Sequence, residues 1–179
     1  KKIQSKNIKI GVIGLGYVGL PLSLTISESG YKVHGFDKDI NKINFLYNYK
    51  SYINHVSSVR ILKLIKKNFF IPTSQFNLLE KMDIIILCVP TPLTSNKKPD
   101  LTFIKKSVEL VSKYFKPGKK IILESTTYPG TSKDLIIDKF KKKKLIEGID
   151  YYLSYSPERE DPGNKKFKTR DIPKVIGAS

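Results

Sequence analysis

A doubly wound α/β fold, with a mostly parallel sheet and helices on both of its faces, is what this sequence predicts. Three observations carry the prediction. Short apolar runs alternate with longer amphipathic stretches, the pattern of repeated β-α-β units. The runs are rich in isoleucine, valine and leucine with little polar alternation, as strands covered on both faces require. A glycine turn joins the first run to the first amphipathic stretch. The 179 residues suit one domain, spanning 1–179, with a single core.

The elements follow in order. Ile8 to Ile13 reads as a buried strand, Gly14 to Gly19 as a turn, and the residues up to about Ser29 as a helix closed by Gly30. Tyr31 to Phe36 is a second strand that ends at Asp37. Ile40 to Tyr49 and Val56 to Asn68 read as helices. Asp83 to Val89 is a strongly apolar strand, stopped by Pro90 and Pro92, which cannot donate to a sheet ladder. Leu101 to Phe115 is an amphipathic helix, and Pro117-Gly118 turns the chain into a strand at Lys120 to Glu124. Thr131 or Ser132 caps a helix running to about Lys143. Tyr151 to Tyr155 and Lys174 to Ile176 read as the last strands. Ligands of such sheets bind outside the carboxyl ends of the strands, so segments 14–19, 89–93, 124–128 and 155–161 should converge.

Composition excludes several classes. A single cysteine cannot build a disulfide framework or a multi-cysteine zinc site, and it favours a reducing, cytoplasmic setting. No apolar stretch approaches the length needed to span a bilayer, and the basic N-terminus is not followed by a signal-peptide core. The formal charge is +17, yet of the 33 basic residues all but Arg60, Arg159 and Arg170 are lysine. Lysines are scattered along the chain, with one dense run at Lys141 to Lys144. A nucleic-acid reader concentrates its charge and uses arginine forks, so the charge reads as a solvated lysine surface. It would still attract a polyanionic small molecule.

Gly14-Leu15-Gly16-Tyr17-Val18-Gly19 is G-x-G-x-x-G between a strand and a helix. Gly14 permits the tight turn, Gly16 lets the backbone approach a diphosphate, and Gly19 lets helix and strand pack closely. The helix start then offers free N–H groups and a positive dipole end. Asp37 stands 18 residues after Gly19, at the end of the second strand, where its carboxylate can accept from ribose hydroxyls. It would repel a 2′-phosphate, which favours NAD over NADP, although Lys38 and Lys42 lie nearby. The fold is therefore expected to be Rossmann-like, with NAD as cofactor and no metal. Cys88, inside an apolar strand, reads as packing rather than as a nucleophile. His34 and His55 fall in no metal or triad spacing and read as structural or surface residues.

Three further loops are more specific: Val89-Pro90-Thr91-Pro92, the ESTTYPGT segment from Glu124 to Thr131, and the SPEREDPGN segment from Ser156 to Asn164. Together with GLGYVG they resemble the nucleotide-sugar 6-dehydrogenases, the UDP-glucose/GDP-mannose dehydrogenase family. The loops look most like the branch acting on UDP-N-acetylglucosamine. The resemblance implies two successive NAD-dependent oxidations at C6 of the sugar. The alcohol becomes an aldehyde, a cysteine thiolate captures it, the thiohemiacetal is oxidised to a thioester, and water releases the carboxylate. It further implies that residues 14–19 hold the diphosphate, and that Asp37 and Lys42 meet the adenosine ribose. Val89, Pro90, Thr91 and Pro92 would line the cofactor cleft, with Thr126 and Tyr128 toward the nicotinamide. Thr127 would orient a catalytic water, and Glu158 would work with that water in proton transfer. Arg159, Glu160 and Asp161 would border the UDP-sugar.

The family's nucleophilic cysteine lies in a glycine-rich motif beyond Ser179, and Cys88 does not match its position. The chain is therefore expected to be the N-terminal domain of a longer enzyme, inactive toward sugars by itself. A central dimerising region and a UDP-gripping domain would complete a homodimer or larger homo-oligomer. The remaining readings are a UDP-glucose or UDP-N-acetylmannosamine enzyme, a free-standing NAD-binding or sensing module, and a basic nucleic-acid-binding protein.

Overall fold

The computed structural model describes residues 3–157 and 173–178. Among the described residues seven strands form one sheet: β1 (Lys9–Ile13), β2 (Lys32–Phe36), β3 (Phe70–Thr73), β4 (Ile84–Leu87), β5 (Lys119–Glu124), β6 (Tyr151–Ser156) and β7 (Gly177–Ala178). Their order across the sheet is β3-β2-β1-β4-β5-β6-β7. Every neighbouring pair is parallel except β6 and β7, which run antiparallel. The chain moves outward from β1 to β3, then returns to the other side of β1 and moves outward again. The reversal lies between β1 and β4, paired from Ile10↔Ile84 to Ile13↔Leu87.

Two apolar layers follow from this winding. Side chains alternate between faces along a strand. Ile10, Val12, Ile86 and Cys88 face the layer holding α1 (Gly19–Glu28), α2 (Ile40–Tyr47) and α3 (Ser58–Lys66). Ile13, Ile85 and Leu87 face the opposite layer, with α4 (Thr102–Lys113) and α5 (Asp138–Lys141). Leu20 and Leu24 of α1 are fully buried, and each such side chain contributes roughly 1.5–3 kcal/mol. The fold is therefore the expected Rossmann-like one, with helices on both faces. Among the described residues no helix is long and apolar enough to cross a membrane.

Four local features depart from the sequence reading. The segment between α3 and β4 contains β3 and a 3-10 turn at Phe76–Lys81. Pro72 is tolerated in β3 because that strand forms the sheet edge. The α3 helix starts at Ser58 rather than Val56, since Val56 closes a turn onto the Ile53 carbonyl. The helix expected from Thr131 opens with a π-turn at Ser132–Ile137 before α5. The last strand is β7 at Gly177–Ala178, not Lys174 to Ile176. A buried lysine ties the second half together: the Lys119 Nζ donates to the carbonyls of Glu80 and Met82. Burial lowers its pKa below the usual lysine value.

Candidate functional site

The chain reversal between β1 and β4 opens a crevice at the carboxyl ends of the strands, where such sheets bind ligands. A cleft of about 470 Å³ occupies it, a size typical of small-molecule sites. Its walls come from the glycine turn, the ends of β2, β4 and β5, and one face of α4.

The three glycines of the turn differ in what surrounds them. Gly14 has φ +93°, and a β-carbon there would stand 2.4 Å from the Cys88 carbonyl oxygen. A β-carbon on Gly19 would stand 1.8 Å from the Gly14 carbonyl oxygen, so only glycine lets α1 start against the turn. Around Gly16 nothing lies within 4 Å of that position. Gly14 and Gly19 therefore serve the backbone, whereas Gly16 leaves a gap on the cleft side. Among the described residues no backbone acceptor takes the N–H of Gly16, Tyr17 or Val18. Free amides beside an open gap are what an anionic diphosphate needs.

Asp37 stands at the end of β2 with only 6% of its surface exposed. Its Oδ2 accepts from the Leu15 N–H at 2.9 Å and from the Lys42 ammonium at 3.2 Å, and its Oδ1 accepts from the Asp39 N–H at 3.0 Å. Both Asp37 and Lys42 line the cleft. Oδ1 keeps a lone pair for a further donor. Leu15 itself is buried in the core and meets the site only through its backbone.

On the far wall two loops are laced together. The Thr91 hydroxyl donates to the Thr126 carbonyl at 2.5 Å, and the Ser125 hydroxyl donates to the Val89 carbonyl at 2.9 Å. Val89, Pro90, Thr91 and Thr126 line the cleft. Pro92, Thr127 and Tyr128 do not. The Pro92 carbonyl instead accepts from the Asp100 N–H at 2.7 Å. The Tyr128 hydroxyl donates to Asp134 Oδ2 at 2.9 Å, which raises its pKa. The Thr131 hydroxyl donates to the Tyr128 carbonyl at 2.8 Å and lies 2.5 Å from the Thr127 oxygen. With its one proton so committed, Thr131 must be the acceptor, and the Thr127 proton is spent on it. The Thr127 hydroxyl can therefore accept from a water but not donate to one.

Glu158, Arg159, Glu160 and Asp161 lie outside the described residues. Of the four segments expected to converge, the first three supply cleft residues.

Several cleft residues went unnoticed in the sequence. Phe103, Lys106, Ser107 and Leu110 come from one face of α4, and Phe76 comes from the 3-10 turn. The α4 residues are signalled only by that helix's amphipathic period, which also serves the core, and Phe76 carries no such signal. Glu124 is 6% exposed, lines the cleft and pairs with Lys174. Lys38, Lys42 and Lys106 surround the cleft with positive charge, suited to a polyanionic ligand.

Residues 8–179 match the family model described as UDP-glucose/GDP-mannose dehydrogenase family, NAD binding domain. The chain belongs to that family. NAD is its cofactor, and the open position at Gly16, the free amides and buried Asp37 fit that dinucleotide. The chain is 35% identical over 179 residues to UDP-N-acetyl-D-glucosamine 6-dehydrogenase of Pseudomonas aeruginosa, covering 97% of this chain and 40% of that protein. It is 36% identical over 182 residues to UDP-N-acetyl-D-mannosamine dehydrogenase of Methanococcus aeolicus, covering 99% of this chain and 40% of that protein. A solved ternary complex of GDP-mannose dehydrogenase from Pseudomonas aeruginosa superposes with TM-score 0.88 at 25% identity, covering 95% of this chain and 41% of that one. The chain thus spans about two-fifths of the length of the curated relatives it matches.

Proposed function

We propose that this chain is the cofactor-binding part of an enzyme that oxidises C6 of UDP-N-acetylglucosamine to the uronic acid in two NAD-dependent steps. The cleft at the strand reversal carries the cofactor part of this reading. There, free amides, an open Gly16 and the Asp37 carboxylate share one wall. The ESTTYPGT and SPEREDPGN loops support the sugar, together with the likeness to a dehydrogenase of that name. A UDP-N-acetylmannosamine substrate is the second reading, because a relative of that name matches at 36% identity.

Bound NAD supplies the hydride acceptor. The residues of the chain hold and orient it. Gly14 to Gly19 hold the diphosphate against the start of α1. Asp37 takes the ribose hydroxyls, while Lys42 holds its carboxylate in place. Val89 to Thr91 and Thr126 shape the half of the cleft that takes the nicotinamide, with Pro92 and Tyr128 fixing the loops behind them. Thr127 accepts a hydrogen bond from the hydrolytic water and Glu158 takes that water's proton. Arg159, Glu160 and Asp161 border the sugar. In this reading the protein continues past Ser179 into the parts that carry the cysteine nucleophile, grip UDP and assemble the homo-oligomer.

Two measurements test the proposal. The coding sequence past Ser179 should contain a glycine-rich cysteine motif; a stop codon at that point would favour a free-standing NAD-binding module. Turnover by the full-length protein should be fastest with UDP-N-acetylglucosamine among the UDP sugars of N-acetylglucosamine, N-acetylmannosamine and glucose. A strong preference for UDP-glucose would overturn the acetamido reading.

A further inference from the structure

The segment Ser51 to Val56, between α2 and α3, belongs to none of the motifs above, yet it touches the glycine turn twice. The Tyr52 hydroxyl donates to the Leu15 carbonyl at 2.6 Å. The His55 ring stacks on Tyr17, centroids 6.2 Å apart. Tyr52 is itself held in place. Its ring meets Phe45 edge-on at 6.5 Å, and the Lys42 ammonium lies 5.9 Å from the ring centre. Ile53 beside it is buried in the core. Burial, and then the Asp37 and Asp39 carboxylates, raise the Tyr52 pKa, so the hydroxyl stays a donor.

Leu15 is thereby gripped from both sides, its N–H by Asp37 and its C=O by Tyr52. All described peptides are trans, and in a trans peptide the C=O of one residue and the N–H of the next point in opposite directions. A Leu15 carbonyl drawn to Tyr52 sends the Gly16 N–H the other way. That N–H has no backbone acceptor among the described residues, and Gly16 lines the cleft.

We propose that Tyr52 is a positioning residue of the diphosphate site: its hydroxyl fixes the Leu15–Gly16 peptide plane so that the Gly16 N–H is presented to the cofactor's phosphates. The proposal rests on the NAD cleft described above. It adds that pre-orientation comes from a segment outside the glycine motif, and it predicts a loss confined to ligands that carry the diphosphate.

The test compares the unaltered chain with Tyr52→Phe, which keeps the ring and removes the hydroxyl. Calorimetry and NMR titration would use NAD, ADP-ribose and adenosine. NAD and ADP-ribose should each weaken roughly three- to tenfold, the scale of one hydrogen bond, while adenosine is unchanged. Equal weakening of all three, or none, would overturn the role. A chain that fails to bind NAD before any substitution would instead remove the cleft reading on which the role depends. If Tyr52→Phe does not fold, the amide resonance of Gly16 in the unaltered chain decides. It should move strongly with ADP-ribose and little with adenosine; a resonance indifferent to both would overturn the proposal.

Discussion

Alanine at each glycine of the turn should separate folding from cofactor binding, because the three positions meet different surroundings. At Gly19 the new β-carbon would fall 1.8 Å from the Gly14 carbonyl oxygen. Backbone cannot swing aside as a side chain can, so α1 must shift, at a cost of about 3 kcal/mol, the upper end of ordinary overpacking. At Gly14 the contact is 2.4 Å to a carbonyl oxygen, and the φ of +93° adds strain, together about 2–4 kcal/mol. For a domain of this size each kcal/mol lowers Tm by about 2–4 °C. Gly16→Ala meets nothing within 4 Å, and Gly16 is not a positive-φ glycine. Its stability should hold, or rise by up to about 1 kcal/mol from lost unfolded-state freedom. The methyl would instead occupy the space kept for the diphosphate. NAD affinity should fall by about 1–3 kcal/mol, roughly 5- to 150-fold. Thermal melts and NAD calorimetry on the three variants are sufficient. A Gly16→Ala chain that binds NAD normally, or a Gly19→Ala chain as stable as the parent, would refute the reasoning.

Other substitutions probe other groups. Asp37→Ala strands the buried Leu15 N–H, costing about 1–3 kcal/mol of stability, and frees Lys42 to meet a 2′-phosphate. The ratio of NAD to NADP affinity should fall toward one or invert, and an unchanged ratio would count against Asp37 as the ribose acid. Burial first, and then the Glu147 carboxylate, push the Tyr151 hydroxyl up to about 12; its oxygen has no partner among the described residues. A raised folded pKa protects the fold fully below the unfolded value of about 10, and that protection is lost as pH climbs through the folded value. Tyr151→Phe should flatten this alkaline loss between pH 10 and pH 12 without destabilising the domain at pH 7, as denaturant titrations across the range would show. In the intact enzyme Glu158→Gln should slow product release by hydrolysis far more than it weakens NAD binding, measured by single-turnover kinetics; loss of NAD binding would assign it a structural part.

Legibility in the sequence followed how local each cause was. The strands β1, β4 and β5 announce themselves because burial demands apolar runs such as Ile84 to Leu87. The glycine turn was readable because backbone constraint restricts residue type at Gly14 and Gly19, and Asp37 was readable from its fixed spacing after that turn. By contrast, β3 is a four-residue edge strand containing Pro72, so it lacks both length and pattern. The π-turn at Ser132–Ile137 reflects backbone hydrogen bonding that side-chain periodicity does not encode. Thr126 and Thr127 are adjacent in sequence, and only the folded turn shows that the first lines the cleft while the second spends its proton on Thr131. Tyr52 was invisible for a different reason. Its partner is the carbonyl of Leu15, 37 residues away, and any residue has a carbonyl.

The most direct measurement is a crystal structure of the chain grown with NAD. The diphosphate should lie within hydrogen-bond distance of the Gly16 to Val18 amides, with the adenosine ribose on Asp37 and the nicotinamide toward Thr126. A dinucleotide bound outside this crevice, or a diphosphate with no contact to those amides, would contradict the assignment of the site.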